Sequence, residues 1–334
     1  MLGGQGLLER YRAQIEQGLR TALAGDGALC RIGRYHIGLE DEQGAPSQAF
    51  GKFIRPALVL FTTEQLGGIA NDALPAAIGL ELIHSFSLIH DDIQDGDRTR
   101  RGRPAVWAIW GIAEAINAGD YLHSVALGTA AKGGLNSVQE LSRATTAMIE
   151  GQSLDLSFEA RFVDESDYLG MVDRKTGALF GCAFALGGIG AGLAAAVPTD
   201  VIAGLRELGR EVGRAFQIQD DLLGIWGDGN ALGKPIGSDI RQRKKSFPVA
   251  VAYARAQDED RNRLESVYRA DAVGQTDVNA IVDLMSCLGV REDVEAAVDR
   301  HSARALDLVQ ALPFPEDGRR ELIALIETLA RRDR

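Results

Sequence analysis

Two short stretches of the chain crowd aspartates together. In "HDDIQDGDRTRRGRP", Asp91 and Asp95 are four residues apart, so on a helix they share a face, with Asp92 one step round. An apolar segment precedes them, which puts these acids at a helix C-terminus, the end where the macrodipole disfavours anions. Three acids there repel one another and need a positive partner. Mg²⁺ is the natural candidate, a hard cation that takes carboxylate oxygens and shares itself with phosphates. A solvated acidic helix end is the plainer reading. Against it stand Arg98, Arg100, Arg101 and Arg103, a cationic loop suited to phosphate. In "FQIQDDLLGIWGD", Asp220 and Asp221 sit between apolar residues, where paired carboxylates without a counter-charge are costly. Gln217 and Gln219 offer hydrogen bonds but no charge, and Lys234, Lys244 and Lys245 follow downstream. Acids followed by a basic loop, twice in one chain, suggest a reaction class. Two carboxylate sets across a helical bundle hold several Mg²⁺ ions, and these, with the lysines and arginines, bind a diphosphate. Such a site ionises an allylic diphosphate by stabilising charge on the leaving group, and an apolar cavity shelters the carbocation from water.

The elements that position these residues read as helices throughout. "LLERYRAQIEQGLRTALA" places Leu7, Leu8, Tyr11, Ile15 and Leu19 near one face, and "LPAAIGLELIHSFSLIHDD" runs apolar into the first acids. Glycine- and proline-bearing joints such as "DEQGAPSQAFGKFIRP" and "GDGNALGKPIGSDIRQRKKSFP" separate the segments, and no β alternation or short repeat appears. The expected fold is all-α, a single large helical bundle over residues 1–334 with a central apolar cavity.

Composition narrows the function. The 334 residues are 46% apolar and 25% charged with a net charge of −11, which argues against nucleic-acid binding. Three cysteines, Cys30, Cys182 and Cys287, stand far apart without a CxxC motif, as in a reduced cytoplasmic compartment. The N-terminus lacks the basic-then-apolar form of a signal peptide. "GALFGCAFALGGIGAGLAAAVP" is long and uncharged, but its glycine and alanine content fits a buried core helix better than a membrane anchor.

Several motifs in order carry a family resemblance: "GKFIRP", "LIHSFSLIHDDIQDGDRTRRG", "AGDYL", "GQSLDL", "KTGALF", "FQIQDDLL" and "LGKPIGSDIRQRKKSFP". Across nearly its whole length the chain resembles the trans-isoprenyl diphosphate synthases, or polyprenyl synthetases. That resemblance implies an isoprenoid-synthase bundle, a homodimer, and condensation of isopentenyl diphosphate with an allylic diphosphate. By the same resemblance, three Mg²⁺ ions are bound by Asp91, Asp92, Asp95 and Asp220, with Asp221 acting through water. Arg100, Lys175, Lys234 and Lys244 meet the allylic diphosphate. Lys52, Arg55, His84 and Arg101 form a metal-free site for isopentenyl diphosphate, and Thr176 and Gln217 line the reacting centre. His84 on an apolar helix has a plainer reading as a core histidine. His90 is set aside as a ligand because Mg²⁺ prefers oxygen.

Chain length has its own signal. Phe86 lies five residues before Asp91, about 7.5 Å along a helix, where a bulky side chain forms a floor under the growing product. With small Ser87 beside it, this resembles geranylgeranyl-forming enzymes, so the expected product is C20, then C15. A class I terpene cyclase and a non-catalytic subunit are the rival readings. The second acid motif is irregular, with Gly224 where the family has a third acid and Asp228 four residues later. Asp228 reads as a turn acid or a partner for the basic loop, with reach to the metal through water as the alternative.

Overall fold

The computed structural model describes residues 4–192, 197–227 and 237–330. It is all-helical apart from one two-stranded hairpin, β1 (Thr99–Arg100) and β2 (Arg103–Pro104), and an isolated bridge between Glu40 and Pro46. The chain forms two compact units, with boundaries inside α7 (Leu135–Phe158) and α10 (Thr199–Trp226).

The first unit comprises residues 1–145, 179–206 and 312–321. Its central element is α4 (Ala70–Gln94), which packs on α3 (Ile54–Gln65) and α6 (Ile112–Ala130). Leu80, Leu82 and Ile83 are wholly buried, because α4 is apolar on nearly every face rather than along one stripe. It is the one described helix long and apolar enough to cross a membrane, and 67% of its apolar window is buried. The glycine-rich stretch flagged in the sequence yields only a 14-residue helix, α9 (Ala178–Ala191), with Phe180, Phe184 and Leu186 fully buried. That is a core helix, as its composition predicts.

The second unit comprises residues 146–178, 207–311 and 322–334. Its core gathers Val172, Ile218, Ile225, Phe247, Val294 and Val298. Between α8 (Glu165–Val172) and α9 the helix widens into one π turn, Asp173–Gly177. Such turns hold an extra residue and cluster at functional sites.

Candidate active site

The first acid set stands where the sequence puts it, at the C-terminal end of α4. Asp95 caps the helix, its N–H donating to Asp91 O at 2.8 Å. The chain then turns through the hairpin, where Arg101 and Gly102 both have positive φ, 52° and 71°. Two left-handed central residues are what a tight two-residue hairpin turn needs. The turn brings Arg100 back over α4. Its Nε and Nη2 both donate to Asp92 Oδ1 at 2.7 Å, and Asp92 is 1% exposed. Burial raises the Asp92 pKa, Arg100 opposes the rise, and Asp97 and Asp95 add to it. The other carboxylate oxygen, Oδ2, is buried with no hydrogen-bond partner. An orphaned carboxylate oxygen beside further acids is a donor set that fits a hard divalent cation.

A cationic cluster lies in the same unit. Arg55 Nη1 is 3.2 Å from His84 Nε2, and the Arg55 guanidinium covers the Phe180 ring at 4.6 Å. The Arg101 guanidinium packs on the backbone next to Lys52, so closely that a Cβ on Gly51 would fall 2.6 Å from Nη2. Lys52 itself is exposed. Burial, then the charges of Arg55 and Arg101, push the His84 pKa well down, so this imidazole is neutral. His36 is depressed in the same way by burial and by Arg101, Arg100 and Arg103. Beneath them lies Glu81, 4% exposed, whose pKa burial pushes up to about 7 although Arg55 and Arg101 pull against it.

Phe86 is 7% exposed. Its ring meets His90 and His123 edge-on, with centroids 5.4 and 5.3 Å apart. His90 Nε2 lies 3.2 Å from Ile116 O on α6, which engages the ring in packing.

In the second unit the two aspartates of "QDD" part company. Asp220 is exposed, whereas Asp221 is buried, so the pair is not buried together as the flanking apolar residues imply. Asp221 accepts from Tyr168 Oη at 2.5 Å, Phe247 N–H at 3.0 Å and Gln217 Nε2 at 3.0 Å. Burial nevertheless pushes its pKa up to about 7, with the nearby charge of Asp239 adding to the rise. Gln217 turns its Oε1 to the Thr176 hydroxyl, which donates to it at 2.9 Å. Lys175, beside Thr176 in the π turn, donates to Asp155 on α7 at 2.5 Å. Close backbone packing holds that turn. A Cβ on Gly151 would lie 2.2 Å from Lys175 N, and one on Gly213 would lie 2.7 Å from Gly177 Cα. Lys244 is exposed, while Lys245 donates to Glu159 O at 3.3 Å and covers the Phe162 ring at 4.9 Å. Lys234 and Asp228 lie outside the described residues.

The structure thus joins Asp92 to Arg100, Arg55 to His84, and Thr176 through Gln217 to Asp221. The sequence reading missed Glu81, His36 and Tyr168. Each is a polar group inside an apolar segment, a signal that points equally to ordinary core packing. Among the described residues no three His, Cys, Asp or Glu side chains form a ready metal cage.

Comparison with known proteins identifies the family. Residues 45–285 match the polyprenyl synthetase family model. The chain is 39% identical to (2E,6E)-farnesyl diphosphate synthase of Mycobacterium tuberculosis, over 86% of this chain and 82% of that protein. It is 36% identical to geranylgeranyl diphosphate synthase of the same organism, over 99% and 94%. A polyprenyl synthase from Caulobacter crescentus, solved with calcium and isoprenyl diphosphate, superposes with a TM-score of 0.87 at 26% identity, covering 100% of this chain and 99% of that one. The chain therefore belongs to the polyprenyl synthetase family and is an enzyme of the trans-prenyltransferase kind.

Proposed function

We propose that the enzyme condenses isopentenyl diphosphate with an allylic diphosphate and releases a short-chain all-trans prenyl diphosphate, C20 first and C15 second. One observation carries the reading. The described residues hold two chemically distinct clusters, the acids of α4 with Arg100, and the Arg55–His84–Arg101 group. A cyclase holds one diphosphate and has no use for the second cluster, whereas chain elongation needs both.

Asp91, Asp92 and Asp95, with Asp220 and, through water, Asp221, would hold three Mg²⁺ ions. When bound, these ions take up the charge that develops on the departing diphosphate. Asp92 fixes the Arg100 guanidinium, and Asp221, held by three donors, fixes Gln217. Arg100, Lys175, Lys234 and Lys244 grip the allylic diphosphate, and Lys52, Arg55, His84 and Arg101 grip isopentenyl diphosphate. The neutral His84 accepts from Arg55 through Nε2 and so orients that guanidinium without adding charge. Thr176 and Gln217 present oxygen dipoles to the carbocation formed when the allylic C–O bond breaks. The double bond of isopentenyl diphosphate attacks that cation, and the departed diphosphate takes the proton that is lost. Phe86, wedged against His90 and His123, forms the floor that stops growth. The enzyme works as a homodimer in the cytoplasm, in keeping with its free cysteines.

The test is purified protein with Mg²⁺, labelled isopentenyl diphosphate, and dimethylallyl, geranyl or farnesyl diphosphate. Label moving into a C20 diphosphate is the expected result. Hydrocarbon release without isopentenyl diphosphate would make it a cyclase, and no turnover with any primer would make it an accessory subunit. Phe86→Ala is expected to lengthen the product, and an unchanged chromatogram removes Phe86 as the floor.

A further inference from the structure

Four polar residues of α10 recur on one face. Glu211, Arg214, Gln217 and Asp221 are spaced by three, three and four residues, the steps that bring helical side chains together. Gln217, itself held by Asp221, meets Thr176 near the end of the π turn. Arg214 meets the turn's beginning. Its Nε donates to Asp173 Oδ1 at 2.5 Å and its Nη2 to Oδ2 at 2.6 Å, a forked grip on the first residue of the turn. Its Nη1 donates to Glu211 Oε1 at 2.8 Å. Behind Glu211 stands His301, on the helix Val290–Ala311, with Nδ1 2.6 Å from Glu211 Oε2. Burial works against the Glu211 charge, but His301 and Arg214 outweigh it and hold the pKa below its ordinary value. An ionised carboxylate only accepts, so His301 Nδ1 carries a proton and donates. All three guanidinium nitrogens of Arg214 are thus committed to protein carboxylates, and the side chain is 16% exposed. It is placed to hold the turn, not to receive a phosphate.

The π turn needs such a hold. It carries one residue more than an α turn. Releasing that residue into regular helix turns the flanking segments against each other by about 100°, one residue's share of a turn. Lys175 and Thr176 lie within it, so their contacts with Asp155 and Gln217 depend on its staying wide. We propose that Arg214 is a positioning residue of this enzyme: by clamping Asp173, with Glu211 and His301 behind it, it sets where the π turn presents Lys175 and Thr176. The inference rests on the reading of Lys175 as a contact of the allylic diphosphate and of Thr176 as a contact of the carbocation. Lys52, Arg55, His84 and Arg101, assigned to isopentenyl diphosphate, lie in the first unit, whereas every member of the clamp lies in the second. The two substrates should therefore feel its loss differently.

Steady-state kinetics with geranyl and isopentenyl diphosphates varied in turn, alongside melting temperatures, test the clamp. Arg214→Lys keeps a charge between Asp173 and Glu211 but cannot make the fork. It is expected to melt near the parent, to raise KM for geranyl diphosphate, and to lose on the order of 10²-fold in kcat, the scale of reacting groups misplaced by about 1 Å. KM for isopentenyl diphosphate should hold. Asp173→Asn weakens the same grip from the other side and should give the same pattern. The double variant should be no worse than the poorer single one, because the two residues act as one unit. Parental kcat and geranyl diphosphate KM in Arg214→Lys overturn the proposal. So does a fall in kcat that leaves both KM values parental, the mark of a residue that only holds the fold together. Lys175→Ala and Thr176→Ala test the reading underneath: if they too are parental that reading falls, and if they are impaired it stands without Arg214. Should Arg214→Lys fold poorly, Asp173→Asn, which keeps the side chain's shape, decides by the same criteria.

Discussion

At the scale of single residues, the site is built from acids with opposite accommodations. Asp220 is exposed and available, whereas Asp221 is buried under three donors. Asp220→Asn is expected to nearly abolish turnover and flatten the Mg²⁺ dependence of initial rates; a variant that keeps parental rates would dismiss Asp220 as a ligand. Glu81 makes a different prediction. Burial holds its folded pKa at about 7, above the ordinary 4.5, so the folded state holds the proton more tightly than the unfolded chain does. Its contribution to stability is full below the unfolded value and is lost as pH rises through the folded one. Glu81→Gln should therefore gain stability relative to the parent between pH 4 and pH 8, by roughly 3 kcal/mol at one pH unit per 1.36 kcal/mol. Urea unfolding across that range checks it, and parallel curves would place the titration elsewhere.

Among the elements, the long helices were legible and the short departures from them were not. The apolar run into Asp91 and the glycine-rich α9 announce themselves by length and composition. The hairpin at Arg101 has two residues in each strand, too few for any alternation to register, and its turn is made by an arginine in a left-handed conformation. The π turn leaves no mark either, since one extra residue does not alter apolar periodicity over so short a span. The close passage of α7 past the π turn yields a direct test. Gly151→Ala forces a Cβ to 2.2 Å from Lys175 N. Overpacking of this kind costs about 1–3 kcal/mol, so both melting temperature and kcat should fall. An unchanged kcat in a folded variant would separate the turn from catalysis.

For the molecule as a whole, the homodimer proposed from the family resemblance meets one surface observation. Ile112 and Ile116, one turn apart on α6, are 54% and 44% exposed. Such pairs are candidates for burial against a second copy. Ile112→Lys with Ile116→Lys is expected to shift sedimentation from dimer to monomer, and a dimer that persists moves the interface elsewhere. The molecule also carries a net charge of −11, yet its substrates are polyanions. At long range its field disfavours them, so capture falls to local cations. One of these, Lys175, is already engaged, with Asp155 as its partner. On the proposed function, a diphosphate that arrives at Lys175 would evict a carboxylate, and one that departs would hand the lysine back. Affinity at that position is then the difference between two ion pairs rather than the strength of one. On the proposed assignment of Lys175 to the allylic site, the group it surrenders is the inorganic diphosphate left when the allylic C–O bond breaks, and the exchange makes letting go no harder than taking hold.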